Sequence, residues 1–374
     1  LHEHLFDAQF TEAHNATADV EATTRCFLEL IRLKTFTAAT LEKADDYFIT
    51  YSAANPKVIR PVGLKHLNLK AESEKLRKAV DHGGSSNIDQ EGIVDLQLLH
   101  DLSFTHLHNH SQYSILQSTA KVSGIIEKAY EHGMHAIALT DSGNMMAAFH
   151  FEAAANKINK RIRAEKAQAE EEGRAYNKKE ILPIIGCEFN VCRDRNDKTQ
   201  NDNGSKVILL AKNKEGYQNL IKLASIAYTE GMYYVPRIDK EIVQTYKENL
   251  IVLSGGIQGE ISNLLLNVGE KQAEDSLTWW KDAFKEDFYI ELTRHGVEVE
   301  SRLNPSLVRL ANKHGVKLIA TNNSFYVEKE DSIAHDVLLC VKDNQLVETP
   351  KGRGRGFRYG LENDEYYIKS SSQM

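Results

Sequence analysis

The chain is 374 residues long, 41% apolar, with a formal net charge of -7. That length suits two or three domains, and the apolar share is enough for a packed core, but no apolar run approaches membrane-spanning length. The acidic balance excludes nucleic-acid binding by whole-surface attraction, so any such contact has to come from local basic patches.

The opening residues Leu1-His2-Glu3-His4-Leu5 lack the basic and apolar regions of a signal peptide. There is no initiator Met, and the end, Ser370-Ser371-Ser372-Gln373-Met374, is polar, so the sequence reads as a fragment of a longer protein. Cys26, Cys187, Cys192 and Cys340 form no CxxC pair and no zinc-ribbon spacing. They read as reduced thiols of a cytosolic protein.

Residues 1–34 read as a loop followed by one amphipathic helix. Asp19 or Thr17 can cap a run in which Val20, Cys26, Phe27, Leu30 and Ile31 recur at helical spacing. One helix cannot bury its apolar face alone, so it needs a partner that is missing or supplied downstream. Residues 35–102 read as a connector, with short helical stretches at 40–50 and 70–80 on either side of Asn55-Pro56. Gly83-Gly84-Ser85-Ser86-Asn87 reads as a flexible break.

From Ser103 the pattern changes. Short apolar, β-rich runs appear at Phe104–Leu107, Ala136–Leu139, Ile184–Phe189, Val207–Leu210, Leu250–Leu253, Phe288–Leu292 and Lys317–Ala320. Helical stretches separate them, among them 121–132, 214–228, 270–284 and 301–314. Strand alternating with helix predicts a parallel sheet, open or closed. His108 and His110 follow the first run, Asp141 the second, and Glu188 ends the third. His295 follows the sixth and Thr321-Asn322-Asn323 the seventh. Polar residues at the ends of many strands mark the mouth of a (β/α) barrel, here with seven strands, whereas a doubly wound sheet gathers its site at one switch point. The charged, Ala-rich stretch 152–180 reads as a solvated helix laced with ion pairs.

Two motifs carry chemistry. In His14-Asn15-Ala16-Thr17-Ala18-Asp19 an imidazole and a carboxylate can share one reaction centre, the first as base and the second as metal ligand. A helix cap at Asp19 with a surface His14 is the ordinary alternative. The surrounding run, Phe10 to Thr23, resembles the third motif of DEDDh-type 3′→5′ exonucleases, which have an RNase H-like fold. That resemblance implies His14 as general base and Asp19 as metal ligand of a helical remnant. The family's other acidic residues are absent, so the remnant is expected to be inert.

In Thr105-His106-Leu107-His108-Asn109-His110, strand alternation places His106, His108 and His110 on one face. They read equally as the start of a metal site or as buried rim histidines bonded to carboxylates. This run, Ala138-Leu139-Thr140-Asp141-Ser142-Gly143-Asn144-Met145, and Pro183-Ile184-Ile185-Gly186-Cys187-Glu188 resemble the opening motifs of the PHP domain. So does the stretch Leu209–Leu220. Their order is similar to that in DNA polymerase III alpha subunits, and Leu253–Gly256, Phe288–Leu292, Ala334–Cys340 and Glu365–Ser370 fit the same family.

The resemblance implies a distorted (β/α)7 barrel of PHP type over 103–345, an α/β fold, with 346–374 starting the connection to a polymerase core. It implies His108, His110 and Glu188 as metal ligands, and His295 by its place after the sixth strand. Departures stand beside these. Metal-keeping members have Thr-Asp-His where this chain has Thr140-Asp141-Ser142. They have Asp-x-His where it has Asn323-Ser324-Phe325, and often an acidic residue where it has Gln117. A hydroxyl, an amide and a phenyl ring do not replace two imidazoles and a carboxylate, so Zn2+ or Mn2+ is expected to be absent or partial and the barrel to serve as a scaffold. The competing expectation is a working metal-dependent phosphoesterase or 3′→5′ exonuclease.

By the same resemblance the parent protein is a DNA-directed DNA polymerase using Mg2+. Its partners would be DNA primer-template, dNTPs, a sliding clamp and other replisome subunits in the cytoplasm. Finally, Lys351-Gly352-Arg353-Gly354-Arg355-Gly356-Phe357-Arg358 interleaves cations with glycines. Arg353, Arg355 and Arg358 read either as phosphate contacts or as part of an interdomain linker, and the acidic chain favours the second.

Overall fold

The structure is a computed structural model that describes residues 1–7, 16–44, 46–61, 104–352 and 354–374. The chain divides into two compact units, Leu1–Val94 and Asp95–Met374.

In the first unit three α-helices are described: α1 (His2–Phe6), α2 (Ala16–Arg32) and α3 (Tyr47–Ala54). The partner that α2 requires lies downstream, in the region expected to be a connector. Ile31 clusters with Ala38 and Phe48, and Leu28, Phe36, Leu41, Tyr47 and Tyr51 pack around them. Buried Glu29 accepts from Arg32 and from the backbone N–H of Ile59, which ties the segment after α3 to α2. The apolar face is narrower than expected, because Val20 and Phe27 are exposed. Asp19 lies inside the first turn of α2, not at its cap. The stretches 70–80 and Gly83–Asn87 lie outside the described residues.

The second unit runs α4 (Val122–Glu131), β1 (Ala136–Leu139), α5 (Ala148–Glu171), β2 (Leu182–Cys192), β3 (Ser205–Ala211), α6 (Lys214–Thr229), β4 (Arg237–Asp239) and α7 (Lys240–Tyr246). It continues with β5 (Leu250–Leu253), α8 (Glu260–Asn267), α9 (Glu270–Phe284), β6 (Phe288–Thr293), α10 (Glu298–His314), β7 (Lys317–Thr321) and α11 (Ser332–Asp343). The strands form one sheet in the order β1-β2-β3-β5-β6-β7, with β4 added beside β2.

The sheet is mixed where an all-parallel one was expected. β1–β2, β5–β6 and β6–β7 are parallel, but β3 runs antiparallel to both β2 and β5. The cause is local. Residues 193–204 are rich in Asp and Asn and form no helix, so they return the chain directly and β2 and β3 pair antiparallel. Gly204 enters β3 at φ +73°, where a Cβ would meet the Val191 backbone at 2.6 Å.

Most of these strands read as continuous apolar runs because they are buried on both faces. In β3, Ile208 and Leu210 point inward with Ala138, Leu253, Ile184, Tyr289 and Ile319. Val207 and Leu209 point outward to the layer that includes Leu220, Leu223, Leu277 and Trp280. The expected first strand is an extended segment with no regular ladder. His106 and Asn109 carbonyls accept from Ala138 and Thr140, while His110 N–H donates to Ser324 O and His108 O accepts from Ser324 N–H. The 106–110 segment thus links β1 to the chain just past β7. α5 carries the expected ladder of exposed ion pairs, such as Arg161–Glu165 and Arg163–Glu180, while burying Phe151, Ala155 and Ile158.

Candidate metal centre at the barrel rim

Alternation fixes what reaches the rim. Ile184, Tyr289, Ile319 and Ala138 face the barrel interior. Counting onward by two along each strand, Glu188, Glu291, Thr321 and Thr140 share that inner face nearer the strand ends. The 106–110 segment adds His108 and His110 from the closing side, and all of these are buried.

One ligand atom from each of His108, His110 and Glu188 lies within 4.8 Å of the others. His108 donates from Nδ1 to Glu291 Oε1 at 2.7 Å and from Nε2 to Glu188 Oε2 at 3.2 Å. His110 Nε2 stands 3.6 Å from the same Glu188 oxygen and has no hydrogen-bond partner. The other Glu188 oxygen, Oε1, accepts from Lys206 Nζ at 2.7 Å and from Ser142 Oγ at 2.9 Å. Thr321 Oγ1 donates to Glu291 Oε1 at 2.5 Å.

The charges follow from these contacts. Burial works against a charge on His108, yet the Glu291 and Glu188 carboxylates outweigh it and raise its pKa to about 9. His108 is therefore an imidazolium at neutral pH. Burial lowers His110 to about 3, only partly opposed by Glu188. Burial alone would raise Glu188, but Lys206 and the two histidines hold it well below the ordinary carboxylate range. Glu291 is also lowered, its burial offset chiefly by His108.

The substituted positions meet here too. Ser142 Oγ lies 3.3 Å from Gln117 Oε1 and 3.4 Å from His110 Nδ1. The Phe325 ring stacks on His110 at 4.6 Å and 2°. Asp141 is turned to structural use, accepting from Ser111 N–H, Ser111 Oγ and Ser114 Oγ at 2.7–2.8 Å.

Tested against a metal, the described residues of the rim have the ligand geometry for a single ion. Unpartnered His110 Nε2 offers a free lone pair beside Glu188, and His108 Nε2 would join them only by giving up its proton. Glu291 stands behind His108 as the outer-shell carboxylate that such ligands commonly carry.

Other expected residues fall elsewhere. His106 does not share the face of His108; its Nε2 bonds Lys369 O at 2.9 Å, and burial keeps it neutral with a pKa of about 4. The alternation argument fails because 104–110 is not a regular strand. His295 is outside the three-residue group. It is paired with Glu300 at 2.6 Å and stacked on Tyr366 at 3.9 Å. His14 and Arg353 lie outside the described residues, and Asp19 is exposed. Arg355 is exposed, whereas Arg358, expected as a phosphate or interdomain contact, is only 5% exposed. Its guanidinium is engaged by Asp336 at 2.7 and 2.9 Å and by the carbonyls of Thr349 and Val347.

Sequence reasoning missed Lys206 and Glu291. A signal existed for both, since a charged residue of the same parity as inward apolar neighbours has to point into the barrel.

A mixed α/β sheet drawn together by a histidine-bearing segment, with His and Glu at its rim, defines a class, and the chain belongs to the PHP domain family, whose model matches residues 106–295. Within it, the chain is similar to DNA polymerase III subunit alpha. It is 40% identical to that of Borreliella burgdorferi over 72% of this chain and 22% of the relative. It is 37% identical to that of Treponema pallidum over 73% and 22%. The chain thus spans about a fifth of the length of the curated relatives it matches. Among solved structures, an amidohydrolase from Chromobacterium violaceum is 11% identical with a TM-score of 0.35, over 59% of this chain and 87% of that one.

Proposed function

We propose that this chain is the PHP portion of a bacterial replicative DNA polymerase of the DNA polymerase III alpha type, and that its barrel is a scaffold with a vestigial metal site. The similarity to alpha subunits supports the first part. The second is carried by one observation: both oxygens of Glu188 already have partners within the chain, Oε1 with Lys206 and Ser142, Oε2 with His108. A hydrolytic site needs open metal positions for substrate and water. Were an ion bound, His108, His110 and Glu188 would hold it, and it would supply Lewis-acid polarisation of a phosphoester.

In the parent protein, primer-template DNA, dNTPs and Mg2+ would engage a polymerase core, with a sliding clamp and other replisome subunits as partners in the cytoplasm. No helix among the described residues is long and apolar enough to cross a membrane. In the same reading, His14 and Asp19 are the remnant of a fused 3′→5′ exonuclease and Arg355 belongs to the connection toward the polymerase core.

The test is hydrolysis of a primer 3′ end and of a phosphomonoester with added Zn2+ or Mn2+. No turnover is expected from the wild type or from His108→Ala. Turnover that His108→Ala abolishes would establish the rival reading of an active phosphoesterase.

A further inference from the structure

Lys206 is the one cation of the rim that no site residue anticipated. It pairs with Asn190 in the β2–β3 register, two positions from Ile208, which faces Glu188. The diagonal neighbour on an antiparallel pair shares the same face, so Lys206 is built to reach Glu188. Its backbone has little freedom: it bridges to Gly259, and a Cβ on Gly255 would meet Lys206 O at 2.1 Å. From that anchor the side chain, 21% exposed, brings Nζ to 2.7 Å from Glu188 Oε1.

Two buried carboxylates, Glu188 and Glu291, therefore face one ammonium and the His108–His110 pair, while Asp141 is satisfied separately by Ser111 and Ser114. A divalent ion held by His108, His110 and Glu188 would sit on the carboxylate that the ammonium already holds. Like charges at such range, in a site shielded from water, repel strongly.

We propose that Lys206 is the resident cation of this rim, holding Glu188 where a divalent ion would otherwise bind, so that removing its charge turns His108, His110 and Glu188 into a single divalent-cation site. The inference rests on the scaffold reading above, which expects the three-residue group to be metal-poor.

The experiment titrates Zn2+ into chelator-stripped full chain by calorimetry, with thermal unfolding measured with and without the ion. Lys206→Ala and Lys206→Gln should each bind one Zn2+ per chain at least about tenfold more tightly than wild type, and the ion should raise their Tm. Lys206→Arg, which keeps the charge, should behave as wild type. Adding Glu188→Gln to Lys206→Ala should erase the gain.

Should both neutral variants unfold without metal, refolding on addition of Zn2+ supports the proposal and failure to refold overturns it. A metal-poor wild type whose folded neutral variants gain no affinity overturns the role of Lys206 and leaves the scaffold reading standing. A wild type that already holds an ion tightly overturns both.

Discussion

Replacing Glu291 by Gln probes the rim most directly. The side chain is fully buried, and its Oε1 accepts from His108 Nδ1 and Thr321 Oγ1. Gln keeps an acceptor for these donors but removes the charge that favours the His108 imidazolium. It also places an amide NH2 where Glu291 Oε2 has no hydrogen-bond partner. The rise of His108 from 6.5 to about 9 corresponds to roughly 3 kcal/mol, shared between Glu291 and Glu188. Losing about half of that, and adding about 1 kcal/mol for the stranded amide, gives a destabilisation of about 2–3 kcal/mol at pH 7. For a domain of this size that is a fall in Tm of about 4–10 °C.

The sign is pH-dependent. A histidine whose folded pKa is raised contributes stability that is complete below 6.5 and is lost as pH rises through about 9. The wild type should therefore weaken steadily as pH rises from 6.5 to about 9. The gap to Glu291→Gln should close or reverse near pH 10, where the wild type buries Glu291 without a cationic partner. Urea unfolding at pH 7 and pH 10, with His108 followed by NMR titration, measures both. Equal destabilisation at the two pH values, or a wild-type His108 titrating near 6.5, would refute the imidazolium between two carboxylates.

Other expectations follow from single contacts. Arg237 is fully buried and donates to the carbonyls of Gly231, Asp202, Arg195 and Asp197. Arg237→Met should strand these acceptors and cost about 3 kcal/mol or more in denaturant unfolding. His106 and His110, lowered by burial to about 4 and about 3, contribute stability above pH 6.5 that is lost as pH falls below it. The midpoint urea concentration should accordingly drop on acidification from pH 6.5 to 5, and less so in His106→Gln. Arg358→Ala should speed amide exchange at Gly352 and Arg358, whose backbone groups bond across the 350–358 loop, while leaving β-strand protection unchanged.

The strands were legible wherever a run is apolar on both faces, and β5 and the helix α9 fall at the expected residues. What escaped has identifiable causes. β4 is three residues long and two are charged, so its apolar signal is a single Ile238, and nothing in composition shows that Arg237 is buried under four carbonyls. The reversal at β3 hinges on a connection without a helix, which period counting along separate runs does not detect. At the rim, resemblance supplied His108, His110 and Glu188, and the structure brings them together. It does not bring in His295, whose partner Glu300 lies on the following helix. Lys206 and Glu291 hide at the ends of apolar runs, where a lone charge normally marks the solvent end of a strand. Only the parity of Ile208 and Tyr289 turns them inward.

That parity bears on how the rim keeps its shape. Buried carboxylates are costly unless their charge is met nearby, and removing a partner usually destabilises more than removing the whole group. Glu188 and Glu291 are buried beside Ser142, Asn323 and Phe325, none of which carries a charge, so their own charge has to be met by other groups. The imidazolium of His108 and the ammonium of Lys206 supply one positive charge for each carboxylate. The remaining imidazole, His110, stays neutral against the Phe325 ring. A rim balanced in this way gains nothing electrostatically from a divalent ion and would carry excess positive charge with one. On the scaffold reading proposed above, these four side chains can hold the shape of the rim by their own charge balance.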